Sequence, residues 1–419
     1  MKSLFRVGLF ICGIFWTHFI YAQSVLNKFE ILGRNKAIDI PFEYENDFIL
    51  LKLLLQKSFP LNFIFDTGAE HTLLLKKEYA DVLGFKYDRR IRLIGADQQE
   101  EMYAMIARAI AFKMSPTVSY SQDILVLEKD FFQLDELTGL FVDGVLSGSF
   151  FRSYVTHINF KTNVLSFIPG SSFRINRKYT KIPIEINAGK IYAMAEVTIN
   201  NKKIPVKLLV DTGAGLPLLL YSNNNPEFKA PEKSIPGKLG KGLGGFIEGH
   251  IGKITELRLE TFKFPSIVTS FQTVDSLTQN LSSATLEKTT VPARDGILGN
   301  QLLNRFDIYI DYQKSAMYLS PIKDLKKEFR VDKSGLELIA TGHDLKQIVV
   351  NSIVPGSPAA DAGMQKGDVL KKIAGLSINL YTLEQAIATF SRKSGHSVNV
   401  QFYRDGKLFK TSIKLRDMI

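Results

Sequence analysis

Cysteine is almost missing from this chain: 419 residues contain one, Cys12. Its scarcity excludes a disulfide framework and every cysteine-based zinc site. Histidine is scarce too, with six copies and no His-Glu-x-x-His spacing that would suggest a metalloprotease. Glycine and proline together reach 45 residues, far short of low-complexity composition, and 45% of the chain is apolar, as in globular proteins. At roughly 100 to 200 residues per domain, the length predicts two to four domains. No motif asks for a cofactor or a metal. Chemistry is left to carboxylates, hydroxyls, amines and backbone.

A charge of one sign is also lacking. The formal balance is +11, from 53 Lys and Arg against 42 Asp and Glu, and the densest cluster, residues 323–333, interleaves three acids with five bases. This cluster reads as a solvated interdomain segment, and no nucleic-acid partner is expected. The longest apolar run, Val7 to Ile20, follows Lys2 and Arg6 and ends near Ala22. A basic start, a run of this length and a small residue before a cut predict a signal peptide over residues 1–22, and hence an exported protein. The run is shorter than the roughly 20 residues a spanning helix needs, so no stable membrane span is expected after cleavage, although an uncleaved signal would anchor the chain. The mature chain would then carry no cysteine.

What is present is a repeat. Residues 59–69 (FPLNFIFDTGA) align without gaps on residues 204–214 (IPVKLLVDTGA), and Asp143-Gly144-Val145-Leu146 aligns on Asp295-Gly296-Ile297-Leu298. One unit of roughly 130 to 140 residues is written twice, too long a period for a solenoid. Short runs rich in β-branched and aromatic residues, bounded by Gly, Pro or Asp, make each unit β-rich. The organisation expected is a lobe over 23–175, a second over 176–325 and a further domain over 331–419.

In both copies Asp-Thr-Gly closes an apolar strand. Gly68 and Gly213 permit close backbone approach beside the acid, and the Thr67 and Thr212 hydroxyls can bond across to the opposite copy. If a pseudo-twofold axis relates the lobes, Asp66 and Asp211 meet on it, share one proton and titrate as a pair. Chance produces an isolated Asp-Thr-Gly on the order of once in several thousand residues, so two in matching contexts carry weight.

The segment Phe65 to Leu73 (FDTGAEHTL), with Asp295 to Leu303 (DGILGNQLL), resembles retropepsin-like aspartic proteases. The resemblance covers about residues 40 to 321 of the chain. It implies a mainly β fold of two pseudo-symmetric retropepsin- or pepsin-like lobes, an aspartic-type endopeptidase with Asp66 and Asp211 as its catalytic pair, and Thr67, Gly68, Thr212 and Gly213 in support. It also implies a hairpin flap over the substrate, for which Gly95, Ala96 and Asp97 in the first copy and Gly242, Gly244 and Gly245 in the second are the candidates. Gly240-x-Gly242-x-x-Gly245 matches a dinucleotide fingerprint by letter, but a strand pattern follows it where that motif needs a helix. The copies depart from each other in two places: Pro217 stands where the first has Thr72, and Gly299-Asn300 where the first has Ser147-Gly148.

Residues 331–419 resemble a PDZ domain of the kind attached to secreted bacterial proteases, through Ser334 to Leu338 (SGLEL) and Pro355 to Leu370. The resemblance implies a peptide C-terminus added as a strand along Gly335, Leu336, Glu337 and Leu338, against a helix presenting Leu383 and Ile387. It also implies periplasmic or extracellular placement. Glu337 departs from the pattern, since a second Gly is common there, and this leaves the carboxylate mode open. The expected partners are peptide or protein substrates and a C-terminal peptide ligand, for which the chain's own Asp417-Met418-Ile419 is one candidate. A non-catalytic peptide-binding protein using cleft and groove is the alternative reading.

Overall fold

The structure is a computed structural model that describes residues 29–31, 37–93, 102–115, 118–242, 245–272 and 294–419. The segment expected to be a signal peptide lies outside them, as do Gly95, Ala96, Asp97 and Gly244. The described chain is mainly β, with two pseudo-symmetric lobes and a separate C-terminal domain.

Each Asp-Thr-Gly ends a strand that is buried on both faces just before the acid. On one face Leu61, Phe63 and Phe65 are 0–3% exposed and Val206, Leu208 and Val210 are 0–1% exposed; on the other, Ile64 and Leu209 are buried, while Asn62 and Lys207 further back are only half-buried. Cover on both faces at these ends explains the unbroken apolar runs Phe63 to Phe65 and Leu208 to Val210. Strand Phe59–Asp66 lies between Phe48–Leu55, antiparallel, and Gly144–Ser147, parallel, with Ser147 opposite Asp66. Strand Lys202–Asp211 lies in the same way between Lys190–Ile199 and Gly296–Gly299, with Gly299 opposite Asp211. The repeated Asp-Gly block thus supplies the parallel partner of the strand that carries the acid.

Its aspartates have a further task. Asp143 accepts from Asn62 N–H at 2.9 Å, and Asp295 accepts from Lys207 N–H at 2.8 Å. Each also exchanges backbone hydrogen bonds with the same partner, Asp143 N–H to Asn62 O and Asp295 N–H to Lys207 O, both at 2.8 Å. These bonds fix the register of the two strands that meet at the acid.

Six strands join the lobes in the order Thr180–Asn187, Ala316–Pro321, Phe306–Asp311, Tyr154–Asn159, Val164–Pro169 and Ile38–Pro41. At the centre Tyr154–Asn159 runs antiparallel to Phe306–Asp311, with His157 opposite Tyr309. Those two residues hold equivalent positions in the two copies, and their rings stack at 3.9 Å and 7°, so the pseudo-twofold axis passes between them. One apolar core runs through both lobes, from Ile38 to Leu319, while the C-terminal domain has its own, from Leu336 to Leu415.

The segment expected to be solvated is only half so. The charged residues 323, 324, 326–328 and 330 are exposed, but Leu325 and Phe329 pack on the shared core. The Arg305 guanidinium covers the Phe329 ring at 3.7 Å and donates to Leu325 O at 2.9 Å. Apolar residues spaced among the charges were enough to dock it.

Candidate active site

The two turns interlock. Thr67 Oγ1 donates to Val210 O at 2.8 Å and accepts from Thr212 N–H at 3.1 Å. In return Thr212 Oγ1 donates to Phe65 O at 2.8 Å and accepts from Thr67 N–H at 3.1 Å. Both threonines are buried, at 0% and 1% exposure, so four hydrogen bonds out of water clamp one lobe to the other.

The clamp brings Asp66 and Asp211 within hydrogen-bonding reach of each other. Each glycine of the motif lies against the opposite carboxylate: a Cβ on Gly68 would stand 2.5 Å from Asp211 Oδ2, and one on Gly213 would overlap the Asp66 carboxyl. Any side chain at either position would push the acids apart. Asp66 Oδ1 accepts from Gly68 N–H at 2.6 Å and Ala69 N–H at 2.9 Å, and Asp211 Oδ1 accepts from Gly213 N–H at 2.8 Å.

Burial pushes both carboxyls above the usual carboxylate range, and the charge of Asp211 lifts Asp66 further. Asp211 is drawn back by its hydrogen bonds to Asp66 and Gly213 and by the charge of Arg294. The pair therefore retains one shared proton well above the pH at which a free carboxyl loses it.

The differences between copies are compensated locally. In the first, Ser147 N–H donates to the Thr72 hydroxyl at 3.1 Å; in the second, Gly299 N–H donates to the backbone carbonyl of Pro217 at 3.1 Å. A main-chain oxygen replaces the missing hydroxyl. Ser147 Oγ donates to Ala69 O at 2.7 Å, whereas Asn300 Nδ2 reaches across to Asp47 O at 2.7 Å.

The pair opens into a cleft of 730 Å³ walled by apolar residues that include Phe48, Ile64, Phe132, Leu216, Leu219 and Ile297. The exposed His71 stands at its edge. Strands Ile235–Gly242 and Gly245–Leu259 form a hairpin with Gly242 paired to Gly245, and Leu239 from it lines the cleft. The glycine pattern that resembles a dinucleotide fingerprint thus lies within a β-hairpin. Among the described residues no group of three or more His, Cys, Asp or Glu could hold a metal, and no helix is long and apolar enough to cross a membrane.

Gly335, Leu336, Glu337, Leu338 and Ile387 line one groove of the C-terminal domain, facing Ile235 to Gly237 of the hairpin. Leu383 opens the helix Leu383–Phe390, whose capping box joins Thr382 and Gln385. Asp417 pairs with Lys333 at 2.7 Å and Ile419 is buried, and none of residues 417–419 lines that groove. The chain's own end is therefore docked elsewhere, which corrects the expectation that it could fill the groove. Glu337 and Leu338 also line the cleft of the acid pair, a neighbourhood that no spacing in the sequence could have revealed.

Two curated proteins match part of the chain. Both are named Serine protease Do-like HtrA, one from Lactococcus lactis subsp. cremoris (strain MG1363) and one from Lactococcus lactis subsp. lactis (strain IL1403). Each is 38% identical over 68 residues, which is 16% of this chain and 16% of the relative. That name overturns the expectation of an aspartic-type endopeptidase, because the protease class carried by these relatives is serine. Partial similarity to proteases is what stands. Basic 7S globulin from soybean, a solved structure, aligns at a TM-score of 0.40 and 9% identity over 68% of this chain and 95% of that one, a likeness too loose to build on. Residues 323–415 match the PDZ-domain family model, and the C-terminal domain, with its edge strand, capped helix and separate core, is a PDZ domain.

Proposed function

We propose that this chain is an exported peptide hydrolase in which an extended peptide lies in the 730 Å³ cleft and a water held between Asp66 and Asp211 attacks its carbonyl. The observation that carries this is the pair of facing carboxyls itself, set by the crossed threonines and lining an apolar cleft. In this reading Asp211, ionised, takes a proton from the water as it attacks. Asp66, protonated, donates to the carbonyl oxygen on which charge develops. Asp211 then gives its proton to the leaving amine while Asp66 takes one back from a hydroxyl of the tetrahedral intermediate, which breaks the C–N bond, leaves a carboxylic acid and resets the pair. The hairpin Ile235–Gly242 and Gly245–Leu259 covers the cleft, and the PDZ domain brings peptide recognition beside it.

The relatives' name, which says protease, supports peptide hydrolysis. Their class calls for a serine nucleophile, and the described residues lining this cleft include His71 but no serine. The test compares the mature protein with Asp66→Asn and Asp211→Asn on a peptide library from acidic to neutral pH, alongside labelling with a serine-directed fluorophosphonate. The proposal expects both variants to be inactive and the wild type unlabelled and uninhibited. Equal product patterns from all three, or fluorophosphonate labelling that abolishes turnover, would overturn it. Binding of library peptides without any cleavage by the wild type would establish the non-catalytic reading instead.

A further inference from the structure

The PDZ groove lies between strand Leu336–Thr341 and helix Leu383–Phe390. That strand ends its sheet, so one edge of it has no partner strand, which is where an added peptide would pair. The far end of this groove is already occupied. Helix Leu134–Thr138 of the first lobe packs on the strand, and Gly139 closes that helix at φ +67°. A Cβ on Gly139 would stand 2.7 Å from Leu383 Cβ and 3.6 Å from Ala340 Cβ, one on each wall of the groove. The backbone of residues 134–140 is therefore wedged where a ligand would run. The segment is tied to its own lobe by Asn46 Nδ2 donating to Thr138 O, by Val142 N–H donating to Asp135 Oδ1 at 2.8 Å, and by Lys76 bridging Asp135 and Asp143 at 2.8 and 3.3 Å.

The near end of the groove is arranged against a terminal carboxylate. Capture of a chain end needs free backbone N–H groups. Here Gly335 N–H donates to Asp332 Oδ2 at 2.5 Å, and Leu336 N–H donates to Ser334 Oγ at 3.1 Å. The side chains of Asp332 and Glu337 both line this end. Glu337 is held in place by Asn351 Nδ2 at 2.9 Å and by Ser352 Oγ. An arriving carboxylate meets occupied donors and charge of its own sign.

We propose that this PDZ groove takes an internal segment instead of a free C-terminus, that its occupant is residues 134–140 of the same chain, and that this docking sets the PDZ strand as a wall of the acid-pair cleft. Leu134, Leu137 and Thr138 from one side of the contact and Glu337 and Leu338 from the other all line that cleft. What the wall does for a substrate rests on the function proposed above; the docking itself does not.

Two glycines make a controlled test. Gly84 and Gly139 share φ +67°, but a Cβ on Gly84 would meet nothing within 4 Å. Gly84→Ala therefore carries backbone strain alone, and Gly139→Ala carries the same strain plus the wedge. Amide hydrogen exchange on the full chain should be faster by at least about tenfold in residues 134–140 and 383–390 of Gly139→Ala than of wild type, and unchanged there in Gly84→Ala. A second measurement needs no variant: an N-acetylated hexapeptide ending in Leu-Val-Ile, as free acid and as carboxamide, is titrated into the wild-type chain. The acid should bind no more tightly than the amide. Equal exchange in the two alanine variants, or an acid that binds at least about tenfold more tightly than its amide, would overturn the proposal. Neither readout uses peptide hydrolysis, so failure of the acid-pair chemistry and failure of the docking are separately visible.

Discussion

Replacing Thr67 by Val changes one hydroxyl for one methyl at the most deeply buried point of the lobe clamp. The hydroxyl donates to Val210 O and accepts from Thr212 N–H, so the variant leaves a carbonyl and an N–H of the opposite lobe without partners and out of reach of water. Each such orphan costs roughly 1–3 kcal/mol, which puts the loss at about 2–6 kcal/mol, a large share of a typical total of about 5–15 kcal/mol. Thr67→Ser keeps both bonds and gives up only a buried methyl, at about 1 kcal/mol. Thr162→Val, at an exposed position, should stay within about 0.5 kcal/mol of wild type. The assay is urea unfolding of the mature chain followed by far-UV circular dichroism, since the single tryptophan, Trp16, falls in the expected signal. The lobes share one core and the PDZ domain has another, so two transitions are expected, of which only the lobe transition should move. A Thr67→Val loss no greater than that of Thr67→Ser would refute the reasoning.

The raised Asp66 carboxyl should show in stability against pH as well as in chemistry. A carboxyl whose folded pKa exceeds its unfolded value costs nothing below about pH 4 and penalises the fold progressively as pH rises through the folded pKa. Asp66→Asn should therefore be more stable than wild type at neutral pH and equal to it near pH 3.5, as read by denaturation at both. Burial likewise raises Asp332 to about 6, against the hydrogen bonds it accepts from Ser334 and Gly335. The PDZ transition should lose stability between about pH 4 and pH 6 in the wild type, and stay flat over that interval in Asp332→Asn. Gly213→Ala drives a methyl into the Asp66 carboxyl; peptide turnover should fall by about a hundredfold or more, since displacements of about 1 Å at a reacting group cost that much, while the PDZ transition holds its midpoint.

The sequence showed the repeat because both copies must solve one problem, a doubly covered strand that ends in a paired acid. The crossed threonines and the tight glycines follow from that geometry, and they stand where the repeat put them. Other parts were hidden for physical reasons. The main-chain oxygen of Pro217 does the work of the Thr72 hydroxyl, and a backbone atom leaves no letter in a sequence. Gly139 reads as an ordinary helix end, and only its distance to Leu383 reveals a contact between regions far apart in the chain. Leu325 and Phe329 were outvoted by the charges around them, although two apolar anchors suffice to dock a segment. Asp143 and Asp295 are visible as a repeated block, but their grip on the amides of Asn62 and Lys207 joins positions 81 and 88 residues apart, which no local pattern marks.

The sheet that joins the lobes sets an order of events as the chain acquires its structure. Tyr154–Asn159 finds one neighbour at once, in the hairpin with Val164–Pro169, but its other neighbour contains Asp307, 150 residues beyond His157. At about 5–20 residues per second of synthesis, that edge waits roughly 8 to 30 seconds for its partner. Throughout the wait it offers an unpaired strand to any other copy in the same condition. Closure of so long a loop also makes this pairing a slow step. A cell producing this protein has reason to keep a chaperone on the half-made chain until the second copy emerges.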